Sequence, residues 1–169
     1  MKTQRAGIAF GSNLGDRLAN FCAARNRLVA LDEISAPILS SSIFETEPID
    51  CEPDAPAFYN AVIEVGYSGT ALALLTSIRG IERALGRNEN HRRNESRAID
   101  LDLLYFDGMS SDDGDLRLPH PRMHLRRFVL APLAEVRSDL HLSNQSVSVG
   151  ELLEKLQDPA AVNRILEKW

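Results

Sequence analysis

A chain of 169 residues with 44% hydrophobic and 25% charged side chains is long enough to bury a sizeable core, and one domain over residues 1–169 is expected. No window approaches the uncharged apolar run of a membrane span, and MKTQRAGIAFGSN is too short and glycine-interrupted for a secretory signal. Cys22 and Cys51 have neither zinc nor redox-motif spacing, so the expectation is a cytoplasmic protein with two free thiols. The net charge of −5 disfavours a general nucleic-acid binder. Its distribution is uneven, however: ten arginines, no lysine and three of the four histidines fall between Arg79 and Arg127. Arginine's planar fork suits bidentate phosphate binding, although interspersed Glu82, Glu89 and Glu95 also allow a solvated salt-bridge surface.

Ala6–Phe10 is a short apolar run closed by Gly11 and reads as a buried strand. GSNLGD (11–16) is a turn, with Asp16 placed to cap a helix in which Leu18, Phe21, Cys22, Leu28 and Val29 recur at helical spacing. Ile38–Phe44 reads as a second strand. The proline-rich stretch 45–56 is a long loop, of the kind that often serves as a lid. Tyr59–Val65 is a third strand. Thr70 begins a second helix with Leu72, Leu75, Ile78, Ile81 and Leu85 expected inward and Gly86 closing it. A polar loop, 87–97, leads into a strand Ile99–Phe106, and Asp107-Gly108 is a hairpin-type turn signal. The order β-α-β-β-α-β is that of a ferredoxin-like α+β sandwich. Short helices near 149–157 and 159–168 are expected to follow, with the tail packed back on the sheet through Leu166 and Trp169.

Asp100 and Asp102 are two apart in an apolar strand, so they share a face with Leu104 while Ile99, Leu101 and Leu103 take the other. Their α-carbons stand about 6–7 Å apart, and paired hard oxygen donors suit Mg²⁺ shared with phosphate oxygens. The plainer reading is a solvated edge strand with Arg97 as ion-pair partner. Arg79, Arg83 and Arg87 form one helical stripe, read as a solvated face with Glu82 in a local ion pair. Of the three, Arg87 at the loop edge is placed to reach a ligand. His120, between Pro119 and Pro121, is either structural or a phosphate contact. Neither G-x-x-x-x-G-K-[ST] nor G-x-G-x-x-G occurs, so a nucleotide would be held by metal and arginines.

Several ordered pieces, namely GSNLGD, SSIFETEPI (41–49), FYNAVIEV (58–65), IERALGR (81–87), RAIDLDLL (97–104), LPHPRM (118–123) and RRFVLAPL (126–133), resemble the 6-hydroxymethyl-7,8-dihydropterin pyrophosphokinase family over essentially the whole chain. The resemblance implies ATP-dependent diphosphate transfer to a pterin alcohol in folate biosynthesis, with AMP as the other product. It implies Mg²⁺, as two ions, at Asp100 and Asp102, and catalytic loop arginines at Arg87 and Arg97. Glu82, Arg97, His120 and Arg126 fall at ATP-side positions. Thr46, Pro48, Ile49, Phe58, Asn60 and Phe128 fall at pterin positions. A monomer is expected as well, and the charge and the lack of a membrane-length apolar run point to no nucleic-acid or membrane partner.

The chain departs from the family pattern at Asn94-Glu95-Ser96, where a small residue and a proline are usual, and at Glu89, Glu47 and Pro121. Arg92 and Arg93 are candidates to replace a missing loop arginine. The departures leave open a diverged paralogue that binds pterin or nucleotide without turnover. A different D-x-D metal enzyme is the third alternative.

Overall fold

The computed structural model describes residues 2–48, 55–86 and 96–169. Strand β1 (Gln4–Ser12) is central, flanked antiparallel by β4 (Phe58–Tyr67) and β5 (Asp100–Phe106). Beyond β4 lie β2 (Ile34–Ser40) and β3 (Ile43–Thr46), both paired to it, and β8 (Val162–Leu166) adds to the far side of β3. The order β5-β1-β4-β3-β8 contains the ferredoxin-like arrangement with one added strand.

Helices α1 (Arg17–Val29) and α2 (Ala71–Ala84) cover one face, packing Phe21, Ala24, Leu28, Leu74 and Ile78 against Ile8, Phe10, Ile63 and Leu101. Asp16 caps α1 by accepting from the Ala19 amide at 2.9 Å, and Thr70 caps α2 from Ala73 at 3.2 Å. Gly86 closes α2 at φ +95°, a conformation that favours glycine. Ile78 and Ile81 are buried and Leu75 and Leu85 pack against the core as expected, but Leu72 is 57% exposed and Leu74 is buried in addition. Leu18 of α1 also faces outward. Glu82 lies inside rather than on a solvated stripe, because its carboxylate satisfies a backbone amide of β5.

The opposite face carries α3 (Arg127–Arg137) and α4 (Val149–Lys155), which pack Val129, Leu130, Leu133 and Val149 on Val62, Leu104 and Tyr105. Helix α3 was not expected from the sequence, since Pro132 interrupts its pattern. The hairpin of β6 (Ser111–Asp113) and β7 (Leu116–Leu118) was not expected either.

Two expectations need correction. The strand Ile38–Phe44 is two strands broken at Ser41-Ser42, where Ser41 Oγ accepts from Val62 N and Ser42 N donates to Glu135. The expected helix 159–168 is instead β8, in register with β3 from Ile43↔Leu166 to Thr46↔Val162. The exposed edge of β3 leaves backbone groups that a strand satisfies and a helix cannot. Trp169 then packs back on the sheet as expected, donating Nε1 to Ser41 O at 2.8 Å and meeting Phe10 and Phe21 edge-on or tilted.

At one end of the sheet, Glu64 is 1% exposed and accepts from Arg5, Arg137 and Tyr105. Gly7 lies between Glu64 and Tyr105 in register, and a Cβ there would stand 2.2 Å from the Tyr105 ring. Burial and the Glu64 carboxylate push the Tyr105 phenol above its ordinary pKa, so it stays a donor.

Candidate active site

The opposite end of the same three strands is open. Gly11, near the end of β1, lies between Asp100 of β5 and Asn60 of β4 in register. Two strand spacings put those two α-carbons about 10 Å apart. A Cβ on Gly11 would lie 3.7 Å from Asp100 Cβ and 3.9 Å from Asn60 Oδ1, so the bare glycine leaves the space between them clear. Above this rung lies a cavity of about 850 Å³, roofed by α3 and the end of α4.

Its β5 bank carries Arg97, Asp100 and Asp102. Arg97 Nη1 pairs with Asp100 Oδ2 at 3.0 Å, while its Nε is buried with no hydrogen-bond partner among the described residues. The bulge between Gly7 and Ile8 lies further along β5, so the two aspartates keep the strict alternation that puts both on the cavity face. Its opposite bank, from β3 and β4, carries Thr46, Phe58 and Asn60. Asn60 Nδ2 donates to Thr46 Oγ1 at 2.8 Å, which fixes the amide and turns its carbonyl oxygen toward Gly11. From the roof come Phe128 and Arg126, the guanidinium 5.4 Å from the ring centroid.

Among the described residues, no group of three or more His, Cys, Asp or Glu forms a metal cluster. Of the carboxylates that line the cavity, Asp100 and Asp102 are the pair on one strand face, whereas Asp158 accepts from the Arg127 and Ala160 amides. A pair of carboxylates is what Mg²⁺ ordinarily takes from protein when phosphate and water complete its shell, so this donor set fits that ion.

A family model described as 7,8-dihydro-6-hydroxymethylpterin-pyrophosphokinase (HPPK) matches residues 7–138. The chain belongs to this family. It is 37% identical over 161 residues to the 2-amino-4-hydroxy-6-hydroxymethyldihydropteridine pyrophosphokinase of Methylorubrum extorquens, covering 95% of this chain and 98% of the relative. To the protein of the same name in Bacillus subtilis it is 40% identical over 133 residues, 78% of this chain and 77% of that one. Wild-type HPPK-DHPS of Plasmodium falciparum is similar in structure, with a TM-score of 0.69 at 16% identity. That match covers 91% of this chain and 45% of the Plasmodium chain, and it shows a common fold. Membership makes the chain an enzyme of the pyrophosphokinase class.

Of the HPPK positions expected from sequence, the cavity brings together Thr46, Phe58, Asn60, Arg97, Asp100, Asp102, Arg126 and Phe128. Arg87 and Ile49 lie outside the described residues. Pro48 is described but does not line the cavity. Glu82 is behind the site: 4% exposed, it accepts from the Leu101 amide at 2.8 Å and so steadies the backbone between the two aspartates. His120 also stands outside the lining, its amide donating to Leu104 O at 2.8 Å on the outer edge of β5. Burial, then the charges of Arg126 and Arg122, lower its pKa to about 4 against a weaker pull from Asp100. The imidazole is therefore neutral at pH 7.

Sequence reading missed Arg122, His124 and Lys155, all of which line the cavity. Arg122 and His124 sit in the turn that precedes α3, and their closeness to the conspicuous LPHPRM motif was the available signal. Lys155 ends α4 more than fifty residues beyond Asp102 in the chain, and nothing local announces it.

Proposed function

We propose that this chain transfers diphosphate from ATP to the hydroxymethyl group of 6-hydroxymethyl-7,8-dihydropterin, a step of folate synthesis. The rung Asp100–Gly11–Asn60 carries the reading, because it sets a phosphate-and-metal bank beside a heterocycle bank with no side chain between them. The hydroxymethyl oxygen forms a bond to the β-phosphorus, and the bond from that phosphorus to the α,β-bridging oxygen breaks. AMP leaves with the bridging oxygen, and the hydroxyl proton goes to solvent.

Asn60 presents an oriented carbonyl to the amino edge of the pterin, and Phe128 and Phe58 offer faces for its ring. Arg97 and Arg126 meet the polyphosphate with fixed guanidinium forks, which orient it and offset its charge. Asp100 and Asp102 would hold two Mg²⁺, which would supply neutralisation of the polyphosphate charge. Arg87 completes the phosphate contacts in this reading. Neutral His120 steadies the β5 edge beside them. One domain acting as a cytosolic monomer is part of the same proposal.

The test is direct: purified protein, ATP, Mg²⁺ and the hydroxymethyl-dihydropterin, with AMP followed over time. Stoichiometric AMP and diphosphorylated pterin are expected. Binding of both ligands by calorimetry without AMP formation overturns the reading in favour of a non-catalytic pterin-binding protein.

A further inference from the structure

Asn13 lies in the turn after β1, 1% exposed, and does not line the cavity. It nevertheless grips the segment that delivers Arg97. Its Oδ1 accepts from Arg97 N at 2.7 Å, and its Nδ2 donates to Ser96 Oγ at 3.0 Å. The backbone amides of Asn13 and Leu14 both donate to Arg97 O, at 3.1 and 3.2 Å. Both main-chain polar groups of Arg97 are thus satisfied by two consecutive residues of the turn. A longer bond of 3.4 Å runs from Asn13 Nδ2 to Pro56 O, on the approach to β4. A buried primary amide is the side chain of this length that can both accept from one amide and donate to two oxygens.

We propose that Asn13 is a positioning residue for diphosphate transfer: it fixes the Arg97 backbone so that the guanidinium stays against Asp100, and ties that bank to the chain at Pro56. The inference rests on the reading above for its kinetic consequence, though the clamp itself can be tested without turnover. Asn13 supplies this constraint from a turn 84 residues earlier in the chain, and Ser96, next to Arg97, is the Nδ2 acceptor.

Asn13→Ala removes the three side-chain bonds but leaves the two backbone ones, so displacement of Arg97 is expected rather than its loss. Trypsin should then cleave the Arg97–Ala98 bond at least several-fold faster than in wild type, as read by mass spectrometry, with circular dichroism unchanged. kcat should fall about 10- to 100-fold with the pterin KM unmoved, the effect of misplacing one charge-bearing group. In an Arg97→Ala background, adding Asn13→Ala should lower kcat no further, since both changes remove the same thing. Additive losses, or unchanged cleavage after Arg97, overturn the proposal. If Asn13→Ala does not fold, Asn13→Asp keeps the acceptor and loses both donors. It should then raise Arg97–Ala98 cleavage above the wild-type rate, and a wild-type rate counts against the clamp. A wild-type protein that makes no AMP sinks the functional reading alone, because the proteolysis result still decides whether Asn13 holds Arg97.

Discussion

Arg97 and Asp100 form an ion pair of 3.0 Å at the start of β5, and both side chains line the cavity. The pairing alone matches the plainer expectation of a structural salt bridge. Its placement beside Asp102 and across Gly11 from Asn60 does not, since a purely structural pair gains nothing from an open cavity. Arg97→Ala is expected to lower kcat about 10²- to 10³-fold, as removal of one preorganised charge does elsewhere. The cost to stability should be only about 1 kcal/mol, because both partners keep some exposure. Arg97→Lys should recover part of the rate, lacking the fork. Steady-state kinetics alongside thermal melts check this, and a variant that loses its fold without a specific rate defect would return the pair to a structural role.

Asp100→Asn and Asp102→Asn separate the two banks of the cavity. Each should abolish Mg²⁺-dependent turnover, by about 10² or more, while leaving pterin affinity nearly intact. Fluorescence titration with the pterin and calorimetry with Mg²⁺-nucleotide read the two properties independently. Phe128→Ala should do the reverse, weakening pterin binding by about 5- to 10-fold through lost ring contact. Equal loss of pterin affinity in the aspartate variants would place the heterocycle on the wrong bank.

Much of this was legible in the chain, and the failures have physical causes. The order of the elements and the caps Asp16 and Thr70 are local signals, as is the alternation that turns Asp100 and Asp102 to one face. Residues 159–168 read as a helix because AAVNRILEK (160–168) has helical composition, but the open edge of β3 decides its state, a tertiary effect. Helix α3 was hidden by Pro132, a residue buried against the sheet whose cost there is offset by packing. Glu82 was read as a stripe charge and, by resemblance, as an ATP-side residue, although it is buried and accepts from a backbone amide nineteen residues on. Asn13 lay in a motif noticed for its glycines, and the acceptors that give it a purpose, Pro56 and Ser96, are far away in sequence.

Glu64 is the test of what holds the sheet at its other end. Its carboxylate is 1% exposed and accepts from Arg5, Arg137 and Tyr105. Glu64→Ala leaves two guanidinium groups facing a buried void and is expected to cost about 3–5 kcal/mol. Gly7→Ala should be comparably harmful, since the new methyl would meet the Tyr105 ring at 2.2 Å and β1 cannot shift without moving both neighbours. Chemical denaturation measures both. Near-wild-type midpoints would mean that the cluster only decorates the sheet.

His120 gives the pH dependence. Its folded pKa is lowered to about 4, by burial first and then by Arg126 and Arg122, against an ordinary value of 6.5. Above about pH 6.5 the ring is neutral in both states and contributes no slope. Between 6.5 and 4 the unfolded chain binds the extra proton, so stability falls as pH falls. The total loss is on the order of 2–3 kcal/mol by the time both states are protonated. His120→Gln should remove this component, so from pH 7 to pH 4 the wild-type urea midpoint should fall relative to the variant's, a pH-dependent difference. A bound triphosphate analogue would set negative charge beside Arg126 and Arg122, relieving their effect on the ring and narrowing that difference. Parallel curves for the two proteins would mean that the imidazole is solvated and that its neighbours do not set its charge.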